Sequence, residues 1–385
     1  MINNNGVHGL PIGYGGGIVN LQNQQPPQPK KRQKDPWDGN VSVFYEGDSG
    51  GCCWWRQKMP QLVINYSKLG NVLCMNKLIP DPNFYTDVKS VRLQRQATPE
   101  HAEFMRHLRD IADKNGMKLI YEIDDVIFKD DIPKFNVARD AYNSEAILKS
   151  TIDMIGMCDT MSVTCDYLKG YFEDTVQHKD IRVIPNMASK MWFDGLYDRT
   201  KIMTSFEKNK KKPRVLYAGS GNHFNIKQVK DAPDDFSHVI DAVIKTQRQY
   251  QWVFMGAYPR ELKPLIDSGV IEFHKWEMIL NYPKKIHALD INAVVAPLID
   301  CPFNRSKSNI KFLESGYLGI PGVFQDMITY KDAPIRFKTG DEMLDQLHKL
   351  LNDRQYYAKM SKRSRDYANR MWLEDNINQY TDLIF

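Results

Sequence analysis

The chain has 385 residues, more than one hydrophobic core usually organises and enough for two domains. Hydrophobic residues make up 42% and aromatics 11%, which excludes global disorder, and no apolar run is long enough to span a bilayer. A net charge of +5 suits a polyanionic partner without requiring one. The six cysteines include the adjacent pair Cys52 and Cys53, but no spacing suited to zinc, and are expected as reduced thiols. With no charged-then-apolar leader pattern, a soluble, cytoplasmic chain is expected.

Residues 1–38 are rich in Gly, Asn, Gln and Pro and turn basic at PKKRQK, which predicts a flexible basic arm. Its GYGGG has no strand before it and no helix pattern after it, so it is not a phosphate loop. Structure is predicted to begin with the strand VSVFYEG, followed by the loop DSGGCCWWR and a helix over 57–69 that ends at Gly70. Strands NVLCMN and VKSVRLQR follow, then the helix PEHAEFMRHLRDIADKNG, then the strand MKLIYEID. The helix SEAILKSTIDMIGMC and the strands TMSVTC and IRVIPN complete the half. Alternating strands and helices imply a parallel sheet with crossover helices.

Residues 201–213, KIMTSFEKNKKKP, are polar and lysine-rich and are expected to be a linker. The alternation then restarts with RVLYAG, FSHVIDAVIKTQRQ, WVFMGA, PRELKPLIDSG, VIEFHKW, LNYPKKIHAL and INAVVAPL. An amphipathic helix from residue 304, the strand GIPGVFQ and two terminal helices finish the chain. The predicted class is α/β, with two doubly wound, Rossmann-like domains facing across a cleft: 39–200, and 214–385 after the linker. Ligands in such folds bind beyond the carboxyl ends of the strands.

Glycines mark those ends: Gly47, Gly50 and Gly51 after the first strand, Gly219 and Gly221 after the first strand of the second half. YAGSGNHF departs from the dinucleotide fingerprint because Phe224 stands at the third glycine, and no acidic residue closes the next strand. Asp124 and Asp125 follow a strand directly; adjacent carboxylates there suit a turn, hydroxyl binding or a proton transfer. Most informative is NRSKSNIKFLESGYLGIPG. Its first-turn amides with Ser306, Lys307 and Ser308 suit a diphosphate, and Glu314, two turns further on the same face, suits a ribose diol. A surface helix with solvated Lys and Glu is the alternative.

The run APLIDCPFNRSKSNIKFLESGYLGIPGV resembles the nucleotide-sugar site of GT-B glycosyltransferases, and within them the group-1, glycogen-synthase-like branch. GDSGGCCWWR, YEIDDVIF, RVIPN, YAGSGNHF and WVFMGA agree in order, and the resemblance extends from Val41 to the end. It implies an acceptor-side first domain, a nucleotide-sugar-binding second domain and a last helix packed back on the first. It further implies that Glu314 holds the donor ribose. Lys307, Ser308, Asn309 and adjacent amides would meet the diphosphate or donor sugar. Gly219, Ser220, Gly221 and His223 would line the same cleft; Gly50, Gly51 and Arg56 would face it from the first domain.

Asp124 and Asp125 would lie on the acceptor side and, with Lys307, form the expected catalytic set. Two positions depart from the branch: Ser306 replaces a glutamate eight residues before Glu314, and Ser220 replaces an arginine, although Lys227 follows. Neutralisation of the diphosphate is therefore assigned to Lys307, Arg305 and Arg56. The expected donor is a UDP-sugar, with no metal or further cofactor required and anomeric configuration retained.

The segments APDDFSHVIDAVIKT, KWEMILNYPKKI and NRSKSNIKFLESG resemble glycosyltransferases of tailed bacteriophages. Some of these place glucose or arabinose on hydroxymethylated bases of phage DNA. That implies double-stranded DNA as partner and the host cytoplasm as location, in keeping with the basic arm. Trp54 and Trp55 would suit base stacking, or else core packing. A surface glycan is the alternative acceptor, expected to bring an amphipathic basic–apolar helix near the cleft, and none is clear. A catalytically silent nucleic-acid-binding protein on the same fold is the third reading.

Overall fold

Strands buried on both faces read as nearly unbroken apolar runs, as VSVFY and RVLYAG do. In the computed structural model, which describes residues 40–142 and 144–385, each of them opens a parallel six-stranded sheet. The arm 1–38, with GYGGG and PKKRQK, lies outside the described residues. The first sheet contains β1 (Val41–Tyr45), β2 (Asn71–Met75), β3 (Val88–Gln94), β4 (Lys118–Glu122), β5 (Thr160–Val163) and β6 (Ile181–Val183), in the order β2-β1-β3-β4-β5-β6. The second contains β7 (Arg214–Gly219), β8 (Gln251–Gly256), β9 (Glu272–His274), β10 (Ala293–Ala296), β11 (Gly322–Gln325) and β12 (Arg336–Phe337), in the order β12-β11-β10-β7-β8-β9.

Each order reverses once, between β1 and β3 in the first sheet and between β7 and β10 in the second. At such a reversal the crossover helices leave to opposite faces, and a crevice opens beyond the strand ends.

Helix α1 covers 51–66, starting at Gly51 rather than at Gln57, so most of the expected glycine loop is helix. A wide π turn over Trp54–Lys58 lies within it. Trp54 and Trp55 pack edge-on against Trp192, with ring centroids 5.7 and 5.5 Å away, inside a core shared by both halves. Both are core residues, and Trp55 also borders the cleft described below.

The crossover helices of the first half are α2 (Pro99–Asn115), α3 (Glu145–Met157) and α4 (Asp166–Thr175). Helix α2 starts at Thr98, whose hydroxyl accepts from His101 N–H while the His101 ring accepts from Thr98 N–H. It stops at Gly116, which turns left-handed at φ 65°.

Most of the expected linker is helix α5 (Arg199–Lys208). Asp198 caps it through Thr200 N–H and Lys201 N–H at 2.8 and 3.1 Å, and Phe206 is buried against the second sheet.

In the second half, α6 (Ile240–Thr246), α7 (Lys263–Asp267), α8 (Tyr282–Ala288), α9 (Ile310–Tyr317), α10 (Gly340–Asn352) and α11 (Arg354–Asn369) flank the sheet. The chain then returns to the first half. Leu373 N–H bonds Ala188 O at 2.9 Å, and the Glu374 carboxylate accepts from Ser189 Oγ at 2.6 Å. Helix α12 (Asn378–Ile384) lies against the first sheet, with Tyr380 under Arg92 and Leu383 O accepting from Lys118 Nζ at 3.0 Å. These contacts tie the two sheets together with their carboxyl ends on one cleft. Among the described residues no helix is long and apolar enough to cross a membrane.

Candidate donor and acceptor cleft

The cleft has a volume of about 420 Å³ and is lined from both reversal points. On the second-half side, β7 ends at Gly219, and a Cβ there would sit 2.5 Å from Tyr217 Oη and 3.0 Å from Lys311 Nζ. Glycine is therefore what lets Lys311 of α9 pass beneath the loop. Its Nζ donates to Ala218 O and lies 4.8 Å from the centre of the Tyr217 ring. One turn along the same helix, Glu314 Oε2 accepts from Tyr282 Oη at 2.9 Å.

Loss of solvent around this pair pushes the Glu314 carboxyl up, against the opposing charge of Lys311, and pulls the Lys311 ammonium down. The helix expected from residue 304 is broken: a short helix over Pro302–Arg305 ends at Ser306 and α9 begins only at Ile310. Lys307 therefore lies in the break before α9 and not in its first turn, its Nζ 4.5 Å from the centre of the Phe303 ring. No side chain caps α9 at Asn309, so its first amides have no such acceptor. The Trp276 ring borders the cleft, 52% exposed and 5.8 Å from Tyr282. Gly256, at φ 92°, is bare where a side chain would overlap that ring.

On the first-half side a single cation organises three carboxylates. Arg95 follows β3 in left-handed backbone at φ 49°, an uncommon conformation for a long side chain. Its guanidinium pairs with Asp48, with Asp125 at 3.0 Å and with Asp124 at 3.4 Å. Arg95 thus supplies the positive charge between the three aspartates. Among the described residues no group of His, Cys, Asp or Glu is arranged to hold a metal. Loss of solvent and the neighbouring Asp124 charge raise the Asp125 carboxyl, while Arg95 and Lys307 pull it down.

Of the residues singled out from the sequence, Gly51, Asp124, Asp125, Gly219, Ser220, His223, Lys307, Ser308 and Glu314 line this cleft. Asn186 lines it too and donates across it to Ser308 Oγ at 2.7 Å. Others do not line it. Gly50 is exposed and donates to Asp48 Oδ1 at 2.6 Å, and Gly221 begins the short turn that carries His223. Arg305 is held on the surface by both oxygens of Asp300, at 2.6 and 2.7 Å. Ser306 is sealed in, its hydroxyl on Phe303 O at 2.7 Å, and Asn309 donates to Tyr367 Oη at 3.0 Å. Lys227 pairs with Asp140.

Arg56 is the clearest departure. It is fully buried, bonded to Glu122 at 2.5 and 3.2 Å, to Ile184 O at 2.6 Å and to Asn186 Oδ1 at 3.1 Å. Arg92 shares the Glu122 carboxylate from the other side. A cation so enclosed is a structural member beneath the cleft rather than a free charge for a diphosphate. The residues that sequence reading missed are Lys311, Tyr282, Trp276 and Arg95. Lys311 had a signal, since it lies three positions before Glu314 and so on the same face. Arg95 had none, because its role depends on three loops meeting.

No family model matches the chain, and no curated protein does. Solved structures match at the level of the fold. A sucrose-phosphate synthase from Thermosynechococcus elongatus superposes with a TM-score of 0.61 at 12% identity, covering 89% of this chain and 97% of its own. Anabaena HepE in complex with UDP-glucose gives 0.59 at 12% identity, covering 89% and 98%. An alpha-glucosyltransferase in complex with UDP and a 13-mer DNA containing an HMU base gives 0.57 at 10% identity, with the same coverage. All three are GT-B glycosyltransferases, and the fold of this chain is the GT-B fold. At such identities the likeness is one of fold.

Proposed function

We propose that the chain is a glycosyltransferase that takes a sugar from a UDP-linked donor and moves it to a hydroxyl group, favouring a hydroxymethylated base of double-stranded DNA. The observation that carries the donor side is the face of α9, where Glu314 and Lys311 share one desolvated pocket beneath the Gly219 loop. In this reading the Glu314 carboxylate accepts hydrogen bonds from the ribose diol, and the exposed face of Trp276 meets the nucleobase. Lys307, Lys311 and the uncapped amides of α9 face the diphosphate. As the bond between the sugar carbon and the phosphate oxygen breaks, negative charge grows on that oxygen. Fixed cations and oriented amides stabilise it without rearranging. The acceptor oxygen forms the new bond to the same carbon on the face that the diphosphate leaves, so that configuration is kept, and its proton leaves to Asp125, whose raised proton affinity suits that task. Retention of anomeric configuration belongs to the proposal.

For the DNA acceptor, support comes from the net charge of +5 and from the structural neighbour bound to UDP and HMU-containing DNA. The test is incubation with duplexes carrying hydroxymethyluracil or hydroxymethylcytosine and a panel of UDP-sugars, followed by nucleoside mass spectrometry. A glycosylated nucleoside is expected. No added sugar with any donor, from a protein that binds UDP in calorimetry, removes the DNA acceptor and leaves the donor reading. No UDP binding removes both.

A further inference from the structure

The turn after β7 carries a buried pair that the donor chemistry above does not use. His223 Nδ1 lies 2.7 Å from Asp235 Oδ2, and the Asp235 N–H donates to His223 O at 3.2 Å, so the two residues are bonded twice. The other Asp235 oxygen accepts from Asn304 Nδ2 at 2.7 Å and from Ile299 N–H at 3.0 Å. Asp235 and Asn304 are each 1% exposed. Oδ1 is already engaged by two N–H donors and a carboxylate Oδ2 offers Nδ1 only an acceptor, so Nδ1 is the protonated ring nitrogen. The lone pair then resides on Nε2.

Among the described residues none is hydrogen-bonded to Nε2. The His223 side chain is 10% exposed and borders the cleft beside Lys307, and Nε2 is not among the polar atoms sealed without a partner. A buried histidine that served packing alone would have its second nitrogen paired or enclosed. Here it is left open to the ligand space.

We propose that Asp235 and Asn304 lock His223 in one tautomer, so that Nε2 accepts a hydrogen bond from a hydroxyl of the donor's sugar. The inference rests on the donor reading above. Chemistry narrows the partner: a ligand group that meets a bare lone pair must bring an N–H or O–H, and a diphosphate at neutral pH brings none. In the reading above the ribose is taken by Glu314 and the base by Trp276, which leaves the hydroxyls of the donor's sugar. The carboxylates that face an acceptor stand on the opposite wall around Arg95. Burial, assisted by the nearby charges of Lys307 and Lys311, pulls the imidazole down to about 4 despite Asp235. The ring is therefore neutral wherever the enzyme would work.

Calorimetry of UDP and of UDP-glucose with the whole chain tests this. Asparagine at 223 loses the Nε2 position, whereas glutamine keeps an acceptor near it. His223→Asn is expected to leave UDP affinity within about twofold and to weaken UDP-glucose by about tenfold, the loss of one buried hydrogen bond. His223→Gln should recover part of that loss, and Asp235→Asn should act in the direction of His223→Asn.

Deoxy analogues of UDP-glucose with the wild type give a second measurement that needs no variant. One missing hydroxyl should cost about tenfold. Equal losses for UDP and UDP-glucose in His223→Asn would mean that the ring meets the nucleotide part common to both, and would overturn the proposal. So would a wild type indifferent to every deoxy position, or transfer lost with UDP-glucose affinity unchanged. A wild type that binds no UDP overturns the donor reading and this inference together.

Discussion

Lys311 and Glu314 lie one turn apart on α9, and each holds the other charged against their shared burial. Burial raises Glu314 to about 7 and lowers Lys311 to about 8. In the proposed function, donor binding needs the carboxylate ionised and the ammonium protonated. The donor kcat/KM should therefore follow a bell, its limbs belonging to the pair and lying near those two values. Lys311→Met should remove the alkaline limb. Because Lys311 holds Glu314 down, its loss should also move the acid limb to higher pH. A profile unchanged in that variant would sink the assignment.

The same pair burdens the fold. A carboxyl raised on folding loses stability as pH rises from its ordinary range through about 7, and an ammonium lowered on folding loses it as pH falls through about 8. Replacing both with Glu314→Gln and Lys311→Met should stabilise by about 1–4 kcal/mol in urea denaturation at pH 7.5, with donor binding abolished. A double variant less stable than the wild type at that pH contradicts the sign.

Arg56 should behave as a structural residue. Arg56→Met leaves Glu122 facing Arg92 alone in a sealed site, and a broken buried ion network costs about 3–5 kcal/mol. UDP affinity, measured by calorimetry below the melting transition, should stay within about twofold, because no contact with the cleft ligand is lost. A large selective loss of UDP affinity in a stably folded variant would return Arg56 to the binding site.

Trp276 presents a half-exposed ring to the cleft. Trp276→Ala should weaken UDP by about 1–3 kcal/mol, the range for a base stacked on an aromatic ring. UDP should quench tryptophan fluorescence in the wild type, and that change should be absent from the variant. Quenching that survives the substitution points to another tryptophan.

Asp125 lies on the first-half wall of the cleft, paired with Arg95 at 3.0 Å, and is the proposed proton acceptor. Asp125→Asn should lower kcat by about 10²–10⁴-fold, the range for a lost general base, with donor KM little changed. Substituting Asp125 also relieves repulsion on Asp124, so stability should not fall much. A variant with full kcat would mean that the proton leaves by another route.

The sequence by itself determined the two α/β halves, because parallel strands buried on both faces must be continuously apolar and their crossover helices must be amphipathic. It also marked the amphipathic run that carries Glu314, although the helix begins only at Ile310, so Lys307 precedes α9 instead of sharing its face. Tertiary structure decided which charges are available. Arg56 reads as a cation beside a glycine-rich loop, yet Glu122, 66 residues away, encloses it. Arg305 is taken up by Asp300 at the surface. Arg95 gains its three aspartates only where the ends of β1, β3 and β4 converge. The tautomer of His223 depends on Asn304, 69 residues beyond the aspartate it steadies. Local periodicity fixes which face a residue occupies. Its charge state and partners depend on burial and on long-range neighbours, and no window of sequence contains them.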